Sequence, residues 1–414
     1  MSLLAGLCAL LLAACGGSSS APAPSSPAAS SAPHASGRPA ASASATSGGS
    51  ASAAAGASGA GGASGTGSAA AAPVPNQAAF DQLVVAAKQE GKVNVIVPPG
   101  DIYRQVTDVF AKKYGIQVEL MVGNGNADIV PKVDAERKAG QYNWDVIAHS
   151  PGAQFQGLET IGAMDPLRPA LVLPDALDDS KWGKGFADGW ADKNKSYVYS
   201  FVGFVDDTLK VNRNVIPESQ LSKLDQAWDP AFKGKIAMFD PRIPGAGLQA
   251  AAVWLLTMGE ATLRSFLATQ QPVTSTDRRQ VGEWIVRGQY PIVSGVAPDS
   301  FGVFRQQGID TSQVKPLDPT NPKGLIYTAG TGSLGLINRA PHPNAAKLFA
   351  NWLLSQEGQA AYSKITGYNS RRLDVPVADP DYQVDWSQTY LNIDIEANYD
   401  SRVKAAAIAK EVLK

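Results

Sequence analysis

Apolar residues recur with a helical period at Phe80, Leu83, Val84 and Ala87, and Gly91 follows where a helix-ending glycine belongs. Lys92 to Val97 alternates and is rich in β-branched residues, which predicts a strand broken by Pro98-Pro99-Gly100. Asp101 then stands as an N-cap for a helix with Ile102, Val106, Val109 and Phe110 on one face, ending at Gly115. Ile116 to Val122 reads as a second strand, Gly123 to Asn126 as a loop, Ile129 and Val133 as the start of a helix that stops near Gly140, and Trp144 to Ala148 as a third strand. The order is βαβαβ, with connections of the length that parallel strands require. Ligands of open parallel sheets sit beyond the C-terminal ends of the strands. Pro98–Asp101, Gly123–Asn126 and His149-Ser150 are therefore expected to converge on one edge.

The pattern recurs further on. Gly234 to Phe239 reads as a short buried strand, Asp240 to Gly247 as a loop, and Leu248, Ala251, Ala252 and Leu255 as a helix face with Gly259 near its end. Ser275-Thr276 precede a helix carrying Val281, Trp284 and Ile285 that Gly288 terminates; Tyr290 to Ser294 is a strand, and Asp299-Ser300 can cap the helix after it. A second α/β lobe thus presents its own polar edge, and two such edges facing each other make a cleft. Gly332 to Asn338 reads as a strand, Pro343-Asn344 opens an amphipathic helix with Ala346, Phe349, Ala350, Leu353 and Leu354 inside, and Val403 to Leu413 forms a final helix.

Composition removes most catalytic classes. Of 414 residues only two are cysteine, Cys8 and Cys15, and only three are histidine, His34, His149 and His342. The folded body is expected to lack disulfides, a thiol nucleophile, a multi-histidine metal site and a Ser-His-Asp triad. No phosphate-binding P-loop and no dinucleotide fingerprint occurs in the right context. The formal charge of −1 gives no electrostatic case for nucleic acid. Asp178-Asp179 and Asp206-Asp207 are adjacent carboxylates, which usually point apart or sit in turns. No enzyme activity, cofactor or resident metal is expected.

The N-terminus carries an address. The apolar run from Leu3 to Ala14 is shorter than the ~20 residues that span a bilayer and has the size of a signal-peptide core. Ending in Leu12-Ala13-Ala14-Cys15, it resembles a bacterial lipoprotein signal, in which the cysteine becomes the lipid-bearing first residue of an exported, membrane-anchored protein. From Gly16 to about Pro75 the chain is Ala, Ser, Gly and Pro with Arg38 as a lone charge; such a segment buries too little surface to offset its chain entropy and reads as a flexible tether or a glycosylated stalk.

Four pieces in order carry a second resemblance. Pro343 to Gln359 (PNAAKLFANWLLSQEGQ) resembles the C-terminal signature of extracellular solute-binding proteins of ABC importers. Phe232 to Met238 with Asp240-Pro241-Arg242 is similar to the start of the second lobe in the ferric-iron-type branch of that family, as Glu90 to Val95 is to its opening strand and Gly288 to Ile292 to its second-lobe strand. The resemblance runs over roughly residues 78–375 and implies a type II periplasmic-binding-protein fold, two α/β lobes with a hinge and a ligand cleft. It also implies capture of a small molecule and delivery to an ABC permease and its ATPase by a monomer. The expected organisation is a signal over 1–14, a linker over 15–75, the first part of lobe 1 over 76–198, lobe 2 over 199–325, and a return to lobe 1 with C-terminal helices over 326–414.

Iron-binding members of that branch use an adjacent tyrosine pair, and this sequence has none. A small organic or phosphorylated anion fits better, held by helix N-termini and by arginine forks. Ferric iron, and a sensor or adhesion role on the same scaffold, stand as alternatives. The candidate ligand contacts are Pro99, Asp101, Tyr103, Asn124, Asn126, Ser150, Arg242, Ser275, Thr276, Arg278, Ser294 and Tyr327, with Cys15 as the lipidation site. Each also has a structural reading. Arg242 and Arg278 fit a solvated surface, Asp101, Ser275 and Thr276 fit N-caps, Asn124 and Asn126 fit a tight turn, and Tyr103 and Tyr327 fit walls. His149 reads as a hydrogen-bonded structural histidine, Trp284 and Trp352 as core.

Overall fold

A computed structural model describes residues 76–296 and 298–414, so the signal, the linker and Cys15 lie outside the described residues. The chain runs α1 (Gln77–Glu90), β1 (Lys92–Val97), α2 (Asp101–Tyr114), β2 (Gln117–Val122), α3 (Gly125–Lys138), β3 (Val146–His149), β4 (Met164–Asp165), α4 (Pro174–Leu177) and β5 (Tyr199–Ser200). It continues with β6 (Phe204–Asp207), β7 (Lys210–Asn212), β8 (Ile236–Phe239), α5 (Ala246–Met258), α6 (Glu260–Gln270), β9 (Val273–Ser275), α7 (Arg278–Val286), β10 (Ile292–Ser294), α8 (Pro298–Gln306) and β11 (Val314–Pro316). It closes with β12 (Leu325–Thr328), β13 (Ser333–Ile337), α9 (Pro343–Leu354), α10 (Gln356–Thr366) and α11 (Asp400–Val412).

The first sheet has the order β2-β1-β3-β13-β4, with β5 also on β13. As the βαβαβ pattern predicts, β1 pairs in parallel with both β2 and β3. The alternation works on both faces at once. Val93, Val95 and Val97 pack with α2, α9 and α10, whereas Ile96 and Ile147 pack with α3 and Phe155. The second sheet, β11-β7-β10-β8-β9, is built the same way. Met238 and Ile292 face α5 and α6, and Ala237 and Val293 face α7 and α8. These are two α/β lobes, each with its own core.

Several local expectations are corrected. α2 has Gly100 at its N-cap, with Asp101 as the first helical residue. α3 begins at Gly125, inside the expected loop. α7 is capped by Asp277, whose carboxylate accepts from the N–H groups of Arg279 and Gln280, and not by Ser275 or Thr276. Trp352 is core, and Trp284 packs half-buried against the second lobe's core, edge-on to Tyr290. α6 and the short strands β4 to β7, β11 and β12 carried no clear periodicity.

The aromatic cluster of Phe110, Tyr114, Phe349 and Trp352 joins α2 to α9, with ring centroids 5.0–5.4 Å from Phe110. Phe110 is fully buried. Phe110→Ala should cost about 3–5 kcal/mol, because the neighbours cannot collapse into the space it leaves. A denaturant titration of the variant should show a lower midpoint at an unchanged slope.

Candidate functional site

Strand direction locates the cleft. In the first sheet β13 runs antiparallel to β3, with Ser333 opposite His149, so the chain enters β13 at the edge where β1, β2 and β3 end. β5 leaves at that edge too, since Ser200 also lies opposite Ser333. In the second sheet β7 runs antiparallel to β10, with Lys210 opposite Val293, and β11 antiparallel to β7, with Pro316 opposite Lys210. The chain enters and leaves this sheet at the edge where β8, β9 and β10 end. The crossing strands β6 and β12, paired antiparallel from Phe204↔Thr328 to Asp207↔Leu325, join one ligand edge to the other. The two edges therefore meet at a waist, and β6 and β12 are its hinge.

The candidate residues fall into three sets. On the first edge, Pro99 and Asp101 are exposed in the β1–α2 turn. Tyr103 is buried, its hydroxyl 2.8 Å from Thr331 Oγ1. The Asn124 side-chain amide and backbone N–H both donate to the Asp128 carboxylate at 2.9 Å, and Asn126 is exposed beside Gly157. Ser150 pairs with His149. The Ser150 N–H donates to His149 Nδ1 at 2.7 Å, and Nε2 lies 3.1 Å from the Gly123 carbonyl oxygen, so the neutral ring with its proton on Nε2 satisfies both. Burial pushes the His149 pKa down to about 4. His149 is a brace between two loops.

On the second edge, Arg242 is already engaged. Its guanidinium forks the Asp240 carboxylate at 2.8–3.2 Å and donates to Thr274 Oγ1 and to the Leu413 carbonyl. Its hydrogen bonds to Asp240 hold the arginine pKa up, and the same bonds outweigh burial in keeping the Asp240 carboxyl below its usual range. Ser275 Oγ receives the Asp277 N–H at 3.0 Å and donates to Gln280; Thr276 is exposed. Arg278 is exposed, with its guanidinium 5.7 Å over the Phe239 ring. Ser294 is 1% exposed, and its Oγ has no hydrogen-bond partner. Two residues from Ile292, it shares the sheet face that α5 covers. Tyr327 belongs to the waist, buried on β12 near Trp386 and Tyr390.

Sequence reasoning passed over the glycines that seat α5. Gly245 (φ 151°) precedes the helix with no side-chain cap. A Cβ on Gly247 would overlap the Phe239 carbonyl, and one on Gly295 would meet the Gly247 nitrogen. Only glycine lets the helix start press onto the ends of β8 and β10. The first-turn N–H groups of Ala246, Gly247 and Leu248 then point out of the helix beside Ser294, at the positive end of its dipole. The run Pro244-Gly245-Ala246-Gly247 was the available signal. α2 and α3 also start at the first edge without a side-chain cap. Helix N-termini of this kind favour negative charge.

The waist carries charge as well. Asp206 and Lys210 form a buried ion pair. Asp207 lines a groove of about 580 Å³ with Arg305, Asp381 and Tyr382. Burial first, then Asp206 and Asp318, push its carboxyl up to about 7 against the pull of Lys210.

A model of the bacterial extracellular solute-binding protein family matches residues 92–368. The chain belongs to that family. An uncharacterised protein of Haemophilus influenzae is 24% identical over 287 residues, 66% of this chain and 76% of the relative. Iron-bound HitA of Pseudomonas aeruginosa aligns with a TM-score of 0.60 at 17% identity, over 78% of this chain and 99% of that one. The ferric binding protein of Campylobacter jejuni aligns at 0.61 and 15%, over 77% and 99%. At such identities the likeness establishes the two-lobed periplasmic-binding fold. This solute-binding protein is of the ABC-transporter type and is not an enzyme. No described helix is long and apolar enough to cross a membrane.

The Asp207 environment sets a pH dependence in the solute-binding protein. The folded state keeps a proton that the unfolded chain releases, so this group's stabilisation is present below about pH 4 and lost as pH rises through about 7. Asp207→Asn should remove that loss, raising stability at pH 8 by on the order of 2 kcal/mol and by much less at pH 5. Thermal melts at the two pH values check it.

Proposed function

We propose that the protein is the lipid-anchored capture component of an ABC importer, taking a small organic or phosphorylated anion into the cleft and handing it to a permease. One observation carries the ligand class. Ser294 Oγ is buried without a partner beside the uncapped N-terminus of α5, where backbone N–H groups and the helix dipole favour negative charge. A buried hydroxyl without an acceptor or donor is costly in a binding protein unless a ligand completes it. The candidate contacts of the first edge, Asp101 through its backbone N–H at the start of α2 with Tyr103, Asn124, Asn126 and Ser150, close on the ligand from the other side, and closure follows from contacts made to both lobes. Arg278 adds attraction at the rim, while Arg242 positions the β8–α5 turn. Export and lipidation at Cys15 keep a monomeric receptor beside its permease, with residues 15–75 as the tether.

The ferric alternative has the solved ferric-binding proteins in its favour. Against it, the sequence lacks a tyrosine pair, and Tyr327 is buried in the hinge.

Thermal melts of the full chain with inorganic phosphate, phosphate monoesters, dicarboxylates and a ferric salt separate the two. An anion should raise the melting temperature. Ser294→Ala should weaken the affinity read from that response about tenfold, the worth of one hydrogen bond to a charged group, without lowering the ligand-free melting temperature, since the hydroxyl it removes has no partner there. A response to Fe³⁺ alone, unaffected by Ser294→Ala, transfers the protein to the ferric class. For the anchor, Cys15→Ala should move the protein from the membrane to the soluble fraction, with binding intact.

A further inference from the structure

The C-terminal segment does more than finish the first lobe. After the waist it runs beside β12, with the Tyr327 N–H donating to the Leu391 carbonyl at 3.3 Å and Tyr327 bridged to Asn392. The buried Asp394 carboxylate takes hydrogen bonds from the Thr328 hydroxyl and the Ala329 N–H at the end of that strand, and pairs with Arg402 at the start of α11. The chain then fastens to the first lobe. The Glu396 N–H donates to the Ala191 carbonyl at 2.8 Å, and the Glu396 carboxylate accepts the Lys193 N–H at 2.7 Å. The Tyr399 ring meets Phe155 edge-on at 5.4 Å and packs on the core that contains Ile96 and Ile147. One turn and a half later Ala405, then Ile408 and Ala409, are buried in the second lobe's core against α5 and α6. Arg264 pairs with Glu411, Lys404 with Glu260, and the Leu413 carbonyl receives Arg242.

We propose that residues 391–413 are a strap across the hinge, held by both lobes, which limits how far the cleft opens and couples that opening to the seating of α5. The geometry leaves little choice about where strain goes. Tyr399 is fixed to one core and Ala405 to the other, and a helix between them transmits displacement without stretching. A lobe rotation that opens the cleft must either lift Tyr399 from Phe155 or drag α11 along α5. The second route also pulls Arg242, which ties the β8–α5 turn to the end of the strap. Two-strand hinges bend readily; a third, clamped crossing restricts the range. This inference rests on the two-lobed fold and holds whether the ligand is an anion or iron.

Hydrogen exchange on the ligand-free full chain tests it. Tyr399→Ala removes the aromatic part of the first-lobe clamp and leaves the α11 contacts with α5 in place. Gly152→Ala attacks the same contact from the other side, since its Cβ would stand 2.9 Å from the Tyr399 ring. Glu396→Ala cuts the clamp at the surface, where folding is least at risk. All three should raise exchange several-fold in β6 and β12, residues 204–207 and 325–328, while α5 and the buried face of α11 stay protected. Faster exchange confined to residues around 399, with the crossing strands unchanged in the folded variants, would overturn the strap and leave the segment a packed appendage.

Discussion

The direction of a few short strands governs this molecule. Had β13 run parallel to β3, or β7 parallel to β10, the chain would have entered a sheet from the edge away from the strand ends. The crossing strands would then have joined the wrong sides of the lobes. Because both are antiparallel, the loops that end the parallel strands of each sheet are also the loops nearest the hinge. The cleft follows from this. It needs no specific contact between the lobes beyond the β6–β12 pair and the strap beside it. Parallel strand ends, helix N-termini and the bending axis fall in one place, so a ligand that touches both edges acts directly on the angle between them.

Within that frame the two edges are chemically unequal. The first-edge loops 98–101, 123–126 and 149–150 contain no lysine or arginine and contribute Asp101, amides and a hydroxyl. The second edge has arginines, but Arg242 is neutralised by the carboxylate two residues before it. What remains on the second edge is backbone, the α5 N-terminus with a buried serine beside it. Fixed dipoles of this kind need no reorganisation when charge arrives, and a surface arginine would not be shielded from water as they are. Arg242 serves instead as a bolt between the β8–α5 turn, Thr274 and the chain end.

Much of this was legible in the sequence, and the exceptions have physical causes. β1 announced itself through alternation, β2, β3 and β8 as short, mostly apolar runs, and α1, α2 and α9 through apolar stripes, the first two closed by glycine and the third opened by proline. Their order was enough for two α/β lobes, and the loop positions were enough to put the candidate residues other than Tyr327 near the strand-end edges. The short strands β4 to β7, β11 and β12 were hidden because two to four residues hold no period, and their partners lie far off in sequence. The α7 cap went to Asp277 over Ser275 because a carboxylate placed one residue before the helix reaches two N–H groups, while Ser275 bonds Asp277 and Gln280. The engagement of Arg242 was nearly visible, since Asp240-Pro241-Arg242 spaces a carboxylate and a guanidinium for a local fork. Val403 to Leu413 was legible as a final helix, but its sequence does not say which core receives it.

That last ambiguity has a structural consequence. A helix is indifferent to the hydrophobic surface it covers, so its destination is decided by what precedes it. Here Asp394 binds the end of β12 and then Arg402, which turns the chain at the waist and delivers α11 to the second lobe. The same carboxylate is buried, so its partners hold it tightly; losing either leaves a charge without compensation. The waist thus concentrates two buried ion pairs, Asp394 with Arg402 and Asp206 with Lys210, beside the buried Arg371, which reaches the exposed Asp188 and lies over the Trp386 ring. Such pairs add little net stability relative to apolar packing, but they tolerate few alternative arrangements. A hinge built on the two buried pairs bends along a defined path, because other paths separate charges that water scarcely reaches.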